Sequence, residues 1–383
     1  MLYRTLGKTG LEVSVVGFGA EWIGGWPQEQ VDELVRACEG AGINIVDCWM
    51  ADPAIRSALG AAIEPNRDHW IIQGHIGSTW QDGQYVRCRD LDKVRAAFDD
   101  QLERLRTDHV ELGMIHYVDS VDEFKTLMDG EYFEYVQELL AAGRIEHVGL
   151  STHNPDVALM AVTQYPAVEM IMFSINPAFD LFPAEEDLNK LFDTTGYDAG
   201  LAGIDPVRAE LYAACEANNV GLTVMKPFAG GRLLDAEKSP FGAAMTVQQC
   251  IAYCLNRPAV ASVLGGYKTV AQMEESVAYC TAGAEELDYT AILANAPAHA
   301  YFGKCIYCGH CQPCVMNINI AQANKFYDLA VMQDEVPASL MEHYKAMESL
   351  ASDCIHCAAC EPNCPFGVRI SHQMRLTAAL FGC

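Results

Sequence analysis

Positive charge is scarce in this chain. Lys and Arg number 25 against 51 Asp and Glu, a formal net charge of −26 over 383 residues. Such an acidic chain repels phosphate backbones and anionic lipid, which disfavours nucleic acid and membrane surfaces as partners. Long apolar runs are missing too: no stretch approaches the length of a membrane span. The opening Met1-Leu2-Tyr3-Arg4-Thr5-Leu6-Gly7 lacks the basic-then-apolar pattern of a signal peptide. These absences point to a cytoplasmic protein, and an acidic surface suits docking to a basic electron-transfer partner. The length allows one large domain and one small one.

Cysteine, by contrast, is concentrated. One run is Cys305-x2-Cys308-x2-Cys311-x2-Cys314; a second is Cys354-x2-Cys357-x2-Cys360-x3-Cys364, followed directly by Pro365. The second run matches the bacterial ferredoxin ligand run residue for residue, and two such runs imply two [4Fe–4S] clusters and one-electron chemistry. Paired Cys-x2-Cys units also bind structural zinc, but the third cysteine and the terminal Cys-Pro argue against it. By the two-cluster ferredoxin rule the fourth cysteine of each run crosses to the other cluster. One cluster would then take Cys305, Cys308, Cys311 and Cys364; the other Cys354, Cys357, Cys360 and Cys314. Cluster thiols need a reducing compartment, so an anaerobic host is a natural setting. The other cysteines (Cys38, Cys48, Cys88, Cys215, Cys250, Cys254, Cys280 and Cys383) form no second ligand pattern and read as small core residues.

Ahead of the cysteine runs, short β-branched segments alternate with longer amphipathic ones. Strands are expected at Val13–Gly19, Ile43–Trp49, Trp70–Ile76, Val110–Tyr117, Val148–His153, Val168–Asn176, Leu222–Phe228 and Ala261–Tyr267. Near-continuous apolar strands are covered on both faces, as in a parallel sheet flanked by helices. The helix-like segments between them include Glu29–Ala41, Leu91–Leu105, Phe133–Ala142 and Val270–Cys280. The expected architecture is an α/β fold, a (β/α)8 TIM barrel over 1–285 with its site at the C-terminal strand ends. A doubly wound sheet is the alternative. Residues 286–383, including a helix at Pro337–Leu350, would form a small, mainly helical ferredoxin-like iron–sulfur domain.

The stretch from Tyr3-Arg4-Thr5-Leu6-Gly7-Lys8-Thr9-Gly10 to Leu11-Glu12-Val13-Ser14 resembles the opening of aldo-keto reductases. Further matches are Gly42-Ile43-Asn44-Ile45-Val46-Asp47, Gly143-Arg144-Ile145-Glu146-His147-Val148-Gly149-Leu150-Ser151 and Met225-Lys226-Pro227-Phe228-Ala229-Gly230-Gly231-Arg232-Leu233. With Cys305-Ile306-Tyr307-Cys308-Gly309-His310-Cys311-Gln312-Pro313-Cys314 they are similar to the ferredoxin-fused branch of that family. The resemblance implies NADP(H) bound across the barrel mouth and an Asp, Tyr, Lys and His tetrad, in which the tyrosine protonates a substrate carbonyl. It places the aspartate at Asp47 and the histidine at His116. The tyrosine expected about five residues after Asp47 is absent from Cys48-Trp49-Met50-Ala51-Asp52-Pro53, and His75 stands where the lysine should be.

An imidazole titrates near neutrality and can donate a proton where a phenol and ammonium are missing. The catalytic set is therefore expected to be Asp47, His75 and His116, with Asp52, Trp49 or Tyr117 lining the pocket. For the cofactor the resemblance implies Ser151, Thr152 and a strand-six residue (Met172 or Asn176) at the amide. It puts Met225 at the stacking position and Lys226, Gly230, Gly231, Gly266, Lys268, Gln272 and Glu275 near the phosphates. His153 and Asn154 read as capping residues, although His75, His116, His153 and Asp47 also match a mononuclear metal set in composition.

The function expected is an iron–sulfur oxidoreductase. It would act on a small organic substrate by reducing a carbonyl or an enone, or by reductive elimination. Electrons would pass between NAD(P)H or a redox partner protein and the clusters. A catalytically silent barrel serving as an electron carrier or subunit adaptor, and a flavin- or metal-dependent barrel site fed by the clusters, are the alternatives.

Overall fold

The computed structural model describes residues 1–181, 205–289, 292, 305, 311–331, 335–364 and 368–383. Eight parallel strands close into a barrel: β1 (Val16–Gly19), β2 (Ile45–Cys48), β3 (Ile71–Ile76), β4 (Val110–Ile115), β5 (Ile145–Thr152), β6 (Met170–Ser174), β7 (Gly221–Met225) and β8 (Val260–Gly266). Each pairs with its neighbour in sequence, and β8 returns to β1 through Val263 opposite Val16. Closure rules out the doubly wound sheet.

The strands read as apolar runs because both faces are covered. β6 is buried at every position, and a parallel strand packed between barrel interior and outer helices has no wet face. The helix Leu91–Leu105 shows how the outer layer is set. Asp90 caps it by accepting from the amides of Asp92 and Lys93, replacing bonds that the first turn cannot make. Its inward stripe is Val94, Phe98, Leu102 and Leu105, all buried, and each such side chain contributes about 1.5–3 kcal/mol of burial.

The floor of the barrel is closed. An antiparallel hairpin, Tyr3–Thr5 with Glu12–Ser14, carries Leu6 and Val13 into an interior cluster with Ile45, Leu112, Met114 and Met170. Any cavity must therefore open at the opposite, C-terminal rim.

A second hairpin, Ser78–Gln81 with Gln84–Arg87, follows β3 and was not anticipated. Gly77 launches it at φ 95°, where an added Cβ would lie 2.5 Å from the Tyr132 hydroxyl. Asp82 and Gly83, at φ 52° and 81°, make its two-residue turn; positive φ at both central positions suits the right-handed twist of the strands.

Beyond β8 the described residues form no further strand. The helices Ile320–Ala330, Ala338–Lys345 and Ile370–Phe381 enclose a separate core of Ile318, Phe326, Tyr344, Met374 and Phe381. Tyr344 stacks on Phe381 at 4.1 Å between ring centroids.

Candidate active site and cluster-binding segment

A cavity of about 780 Å3 opens at the C-terminal rim, a size typical of small-molecule pockets. All eight strands feed it, through Gly19, Asp47, His75, His116, Ser151, Met172, Met225 and Gly266. The three expected catalytic residues are brought together as a hydrogen-bonded line. His75 Nε2 lies 2.9 Å from Asp47 Oδ1, and His75 Nδ1 lies 2.7 Å from His116 Nδ1.

The line continues to a group the sequence reading missed. His116 Nε2 is 2.6 Å from the hydroxyl of Tyr85, which the second hairpin carries into the cavity. A phenol thus stands beside the histidine although none follows β2. Trp49 stacks parallel to His116 at 6.2 Å and meets Tyr85 edge-on at 5.3 Å, bracing both rings. Trp49 and Tyr117 line the cavity, whereas Asp52 is spent capping the helix Pro53–Ile63 by accepting from Ala54 N.

Protonation along the line follows from these contacts. A carboxylate only accepts, so His75 Nε2 donates to Asp47. Gln73 Nε2 donates to the same oxygen at 2.9 Å. Burial, and then His75, Arg89, Arg87 and Arg56, hold His116 well below the ordinary histidine range, so it stays neutral. Burial, reinforced by Tyr117 and opposed by Arg87 and Arg89, raises Tyr85 well above an ordinary phenol. Its proton is therefore retained.

A second line faces the first. Asp119 accepts from the Thr152 hydroxyl at 3.0 Å, from His153 N at 2.7 Å and from His153 Nδ1 at 2.9 Å. His153 Nε2 is 3.1 Å from Lys226 Nζ. Burial works against the Asp119 charge, but His153 and these donated bonds outweigh it and lower its pKa. Burial also lowers His153, and the Asp119 carboxylate only partly offsets this. A neutral His153 gives its Nδ1 hydrogen to Asp119 and accepts from the Lys226 ammonium. Burial, opposed by Asp119 and reinforced by Lys325, depresses Lys226. Its side chain is accessible, but to the water of the cavity it lines.

Tyr117 and Lys226 follow β4 and β7 in left-handed conformations, φ 48° and 58°. Each costs roughly 1–3 kcal/mol for a non-glycine residue. Asn154 caps the helix Pro155–Gln164 as expected, accepting from Asp156 N; His153 instead belongs to the cavity wall.

Ser151, Met225, Lys226, Gly230, Gly231, Gly266, Lys268, Gln272 and Glu275 line the same cavity. Thr152 is fully buried and donates to Asp119, and Asn176 is consumed by Lys226 O and the amides of Ala178 and Phe179. Gln272 accepts from Lys268 N at 2.8 Å, while Lys268 Nζ sits 4.2 Å over the Trp22 ring. The glycines at 230 and 231 leave space open where a Cβ would stand. Lys268 and these bare backbones suit a dinucleotide diphosphate. A mononuclear metal does not fit. Both ring nitrogens of His75 are taken by hydrogen bonds, and His153 pairs with Asp119.

In the tail, Cys314, Cys354, Cys357 and Cys360 line one cavity whose other walls include Val315, Ile318, Ile320, Ile370 and Met374. Burial, Glu361, and the neighbouring Cys314 and Cys354 raise the Cys360 thiol, against the pull of its own backbone amide. Thiolates gathered in a largely apolar cavity repel one another unless a cationic centre joins them, so these residues fit an iron–sulfur cluster. Cys305, Cys364 and Cys311 belong to the tail core, while Cys308 and Pro365 lie outside the described residues. Of the remaining cysteines, Cys38, Cys48, Cys88, Cys215, Cys250 and Cys254 are buried.

Comparison with known proteins accords with this layout. Residues 15–245, more than half of the chain, match the Aldo/keto reductase family, and residues 304–369 match a 4Fe-4S dicluster domain. Uncharacterized oxidoreductase YqkF of Bacillus subtilis is 28% identical over 294 residues, covering 72% of this chain and 90% of that one. Aldo-keto reductase YhdN of the same organism is 27% identical over 194 residues, 48% of this chain and 56% of its own length. An aldo-keto reductase from Bacillus halodurans shares the fold at a TM-score of 0.61 and 22% identity, covering 78% of this chain and 97% of that chain. The chain belongs to the aldo/keto reductase family, with a 4Fe–4S-type domain fused behind its barrel.

Proposed function

We propose that the barrel mouth reduces a small organic substrate at a carbonyl or a carbonyl-conjugated double bond, with Tyr85 as proton donor. The single observation that supports this is the unbroken line from Asp47 through His75 and His116 to Tyr85. NAD(P)H along Gly230 and Lys268 would supply hydride, and two [4Fe–4S] clusters would exchange single electrons with a redox partner.

The line has two polarities. With His75 protonated on both nitrogens, its charge rests against Asp47, His75 Nδ1–H donates to His116 Nδ1, and His116 Nε2–H donates to the Tyr85 oxygen. The Tyr85 O–H is then directed to the substrate. When it gives up its proton, the His116 Nε2 hydrogen moves to Tyr85 and the His75 Nδ1 hydrogen moves to His116. His116 changes tautomer and remains neutral throughout, as its depressed pKa favours. A phenol held above its ordinary pKa is a poor acid alone; a second donor behind it stabilises the developing phenolate. The Tyr85 phenol supplies the proton that carbonyl reduction needs, which sets that reaction level with enone reduction and reductive elimination.

The test is Tyr85→Phe in anaerobically purified protein, screened against aldehydes, ketones and enones. Turnover should fall by about 10^2–10^4-fold while nicotinamide affinity is unchanged. Wild-type rates in the variant would remove Tyr85 from the chemistry. A protein that neither binds nicotinamide nor turns over any substrate would be an electron carrier.

A further inference from the structure

We propose that the barrel mouth contains an anion subsite built by both parts of the chain, with Lys325 of the tail helix Ile320–Ala330 joining Lys226 and His153 of the barrel. It rests on reading this cavity as the active site, and it adds a ligand class: a molecule that presents an anionic oxygen group, carboxylate or phosphate.

Lys325 lines the same cavity as His153, Lys226, Tyr85 and His116. It lies within electrostatic reach of both His153 and Lys226, lowering each. Lys226 spends one hydrogen on His153 Nε2, and an ammonium has three, so two remain for a ligand. Asp119 offsets part of this positive charge, with its carboxylate held by Thr152, His153 N and His153 Nδ1. Two ammonium groups brought into one enclosed wall repel each other, and an anion between them reverses the sign of that interaction. The surroundings make the cluster more telling. In a chain of net charge −26 an anionic ligand is repelled at long range, so it needs a local cationic focus to bind. The wall stands in the same cavity as Tyr85, so one molecule could be held by its anionic end while its carbonyl meets the phenol.

The experiment is calorimetric titration of the anaerobic, full-length holoprotein with 2-oxobutanoate, with the uncharged 2-butanone, and separately with NADPH. Wild type should favour the acid over the ketone by about tenfold or more, the scale of one charge-assisted contact. Lys325→Gln should erase most of that preference, and Lys325→Arg should keep it. Loss of NADPH affinity instead, with no acid preference in wild type, would assign the subsite to a dinucleotide phosphate. Cluster absorbance reports whether each variant's tail is intact. If neither titration changes in Lys325→Gln or Lys226→Met, the subsite does not exist. Binding needs no turnover, so an active Tyr85→Phe variant would leave this result standing.

Discussion

The two sides of the barrel mouth begin alike and end differently. Each starts from a buried carboxylate, Asp47 or Asp119, and passes through histidine. One then ends in a phenol and the other in an ammonium. On the Asp47 side every group between the carboxylate and the cavity can both give and take a hydrogen, so the line can reverse. On the Asp119 side the carboxylate takes three donors and the ammonium can only donate. That line has one polarity. The first arrangement is built so that it can pass a proton; the second holds a charge still. The same opening residues thus serve chemistry or binding according to the side chain at the end.

The comparison breaks most visibly if the two sides respond alike to mutation. His75→Gln keeps a donor for Asp47 but cannot carry a second proton. Its turnover should drop by about 10^2-fold or more, and combining it with Tyr85→Phe should cost little beyond the larger single loss, because the two act as a unit. Additive losses would separate them. On the opposite side, Lys226→Met should raise KM for an anionic substrate by about tenfold and leave kcat nearly constant, the signature of lost uniform binding. A collapse in kcat would put Lys226 among the reacting groups.

The smallest effect concerns pH. His116 and His153 are held neutral in the fold, and both are buried. Below an unfolded pKa of about 6.5 the unfolded chain takes up protons that the folded chain refuses, so stability falls as pH falls. Glu21 works in the opposite sense. Burial, with Asp47 adding to it, raises its carboxyl to about 7 against its own backbone hydrogen bond and Lys226, so the folded chain is the better proton binder below that pH. Two groups outweigh one: Tm should decline between about pH 7.5 and 5.5, and Glu21→Gln should steepen the decline. A flat profile in both proteins would mean that the histidines are already protonated in the fold.

The barrel was legible because burial on both faces writes itself as apolar runs, and all eight expected strands are present. Asp47, His75 and His116 were legible because strand ends in this fold converge. Tyr85 was not, since its distance from Asp47 along the chain has no relation to its distance in space. A signal for it did exist. Asp82-Gly83 between short polar and aromatic flanks is a strong two-residue hairpin cue, and a hairpin at the end of β3 can only fold over the rim. Lys226 could be placed after β7, but its reach across to His153 depends on a left-handed backbone that no local pattern announced. Lys325 left no trace at all. Its place in the cavity depends on how the tail packs, which is information carried by no single segment.

The helix Ile320–Ala330 has one more implication. Ile320, at its start, is part of the wall around Cys314, Cys354, Cys357 and Cys360, while Lys325 is part of the wall around Tyr85. Five residues of helix rise only about 7.5 Å. The cysteine-bearing tail and the barrel rim are therefore not separable experiments. A redox titration of a barrel variant, or an affinity measured on a cluster variant, reports on a shared beam, and each needs the other as its control.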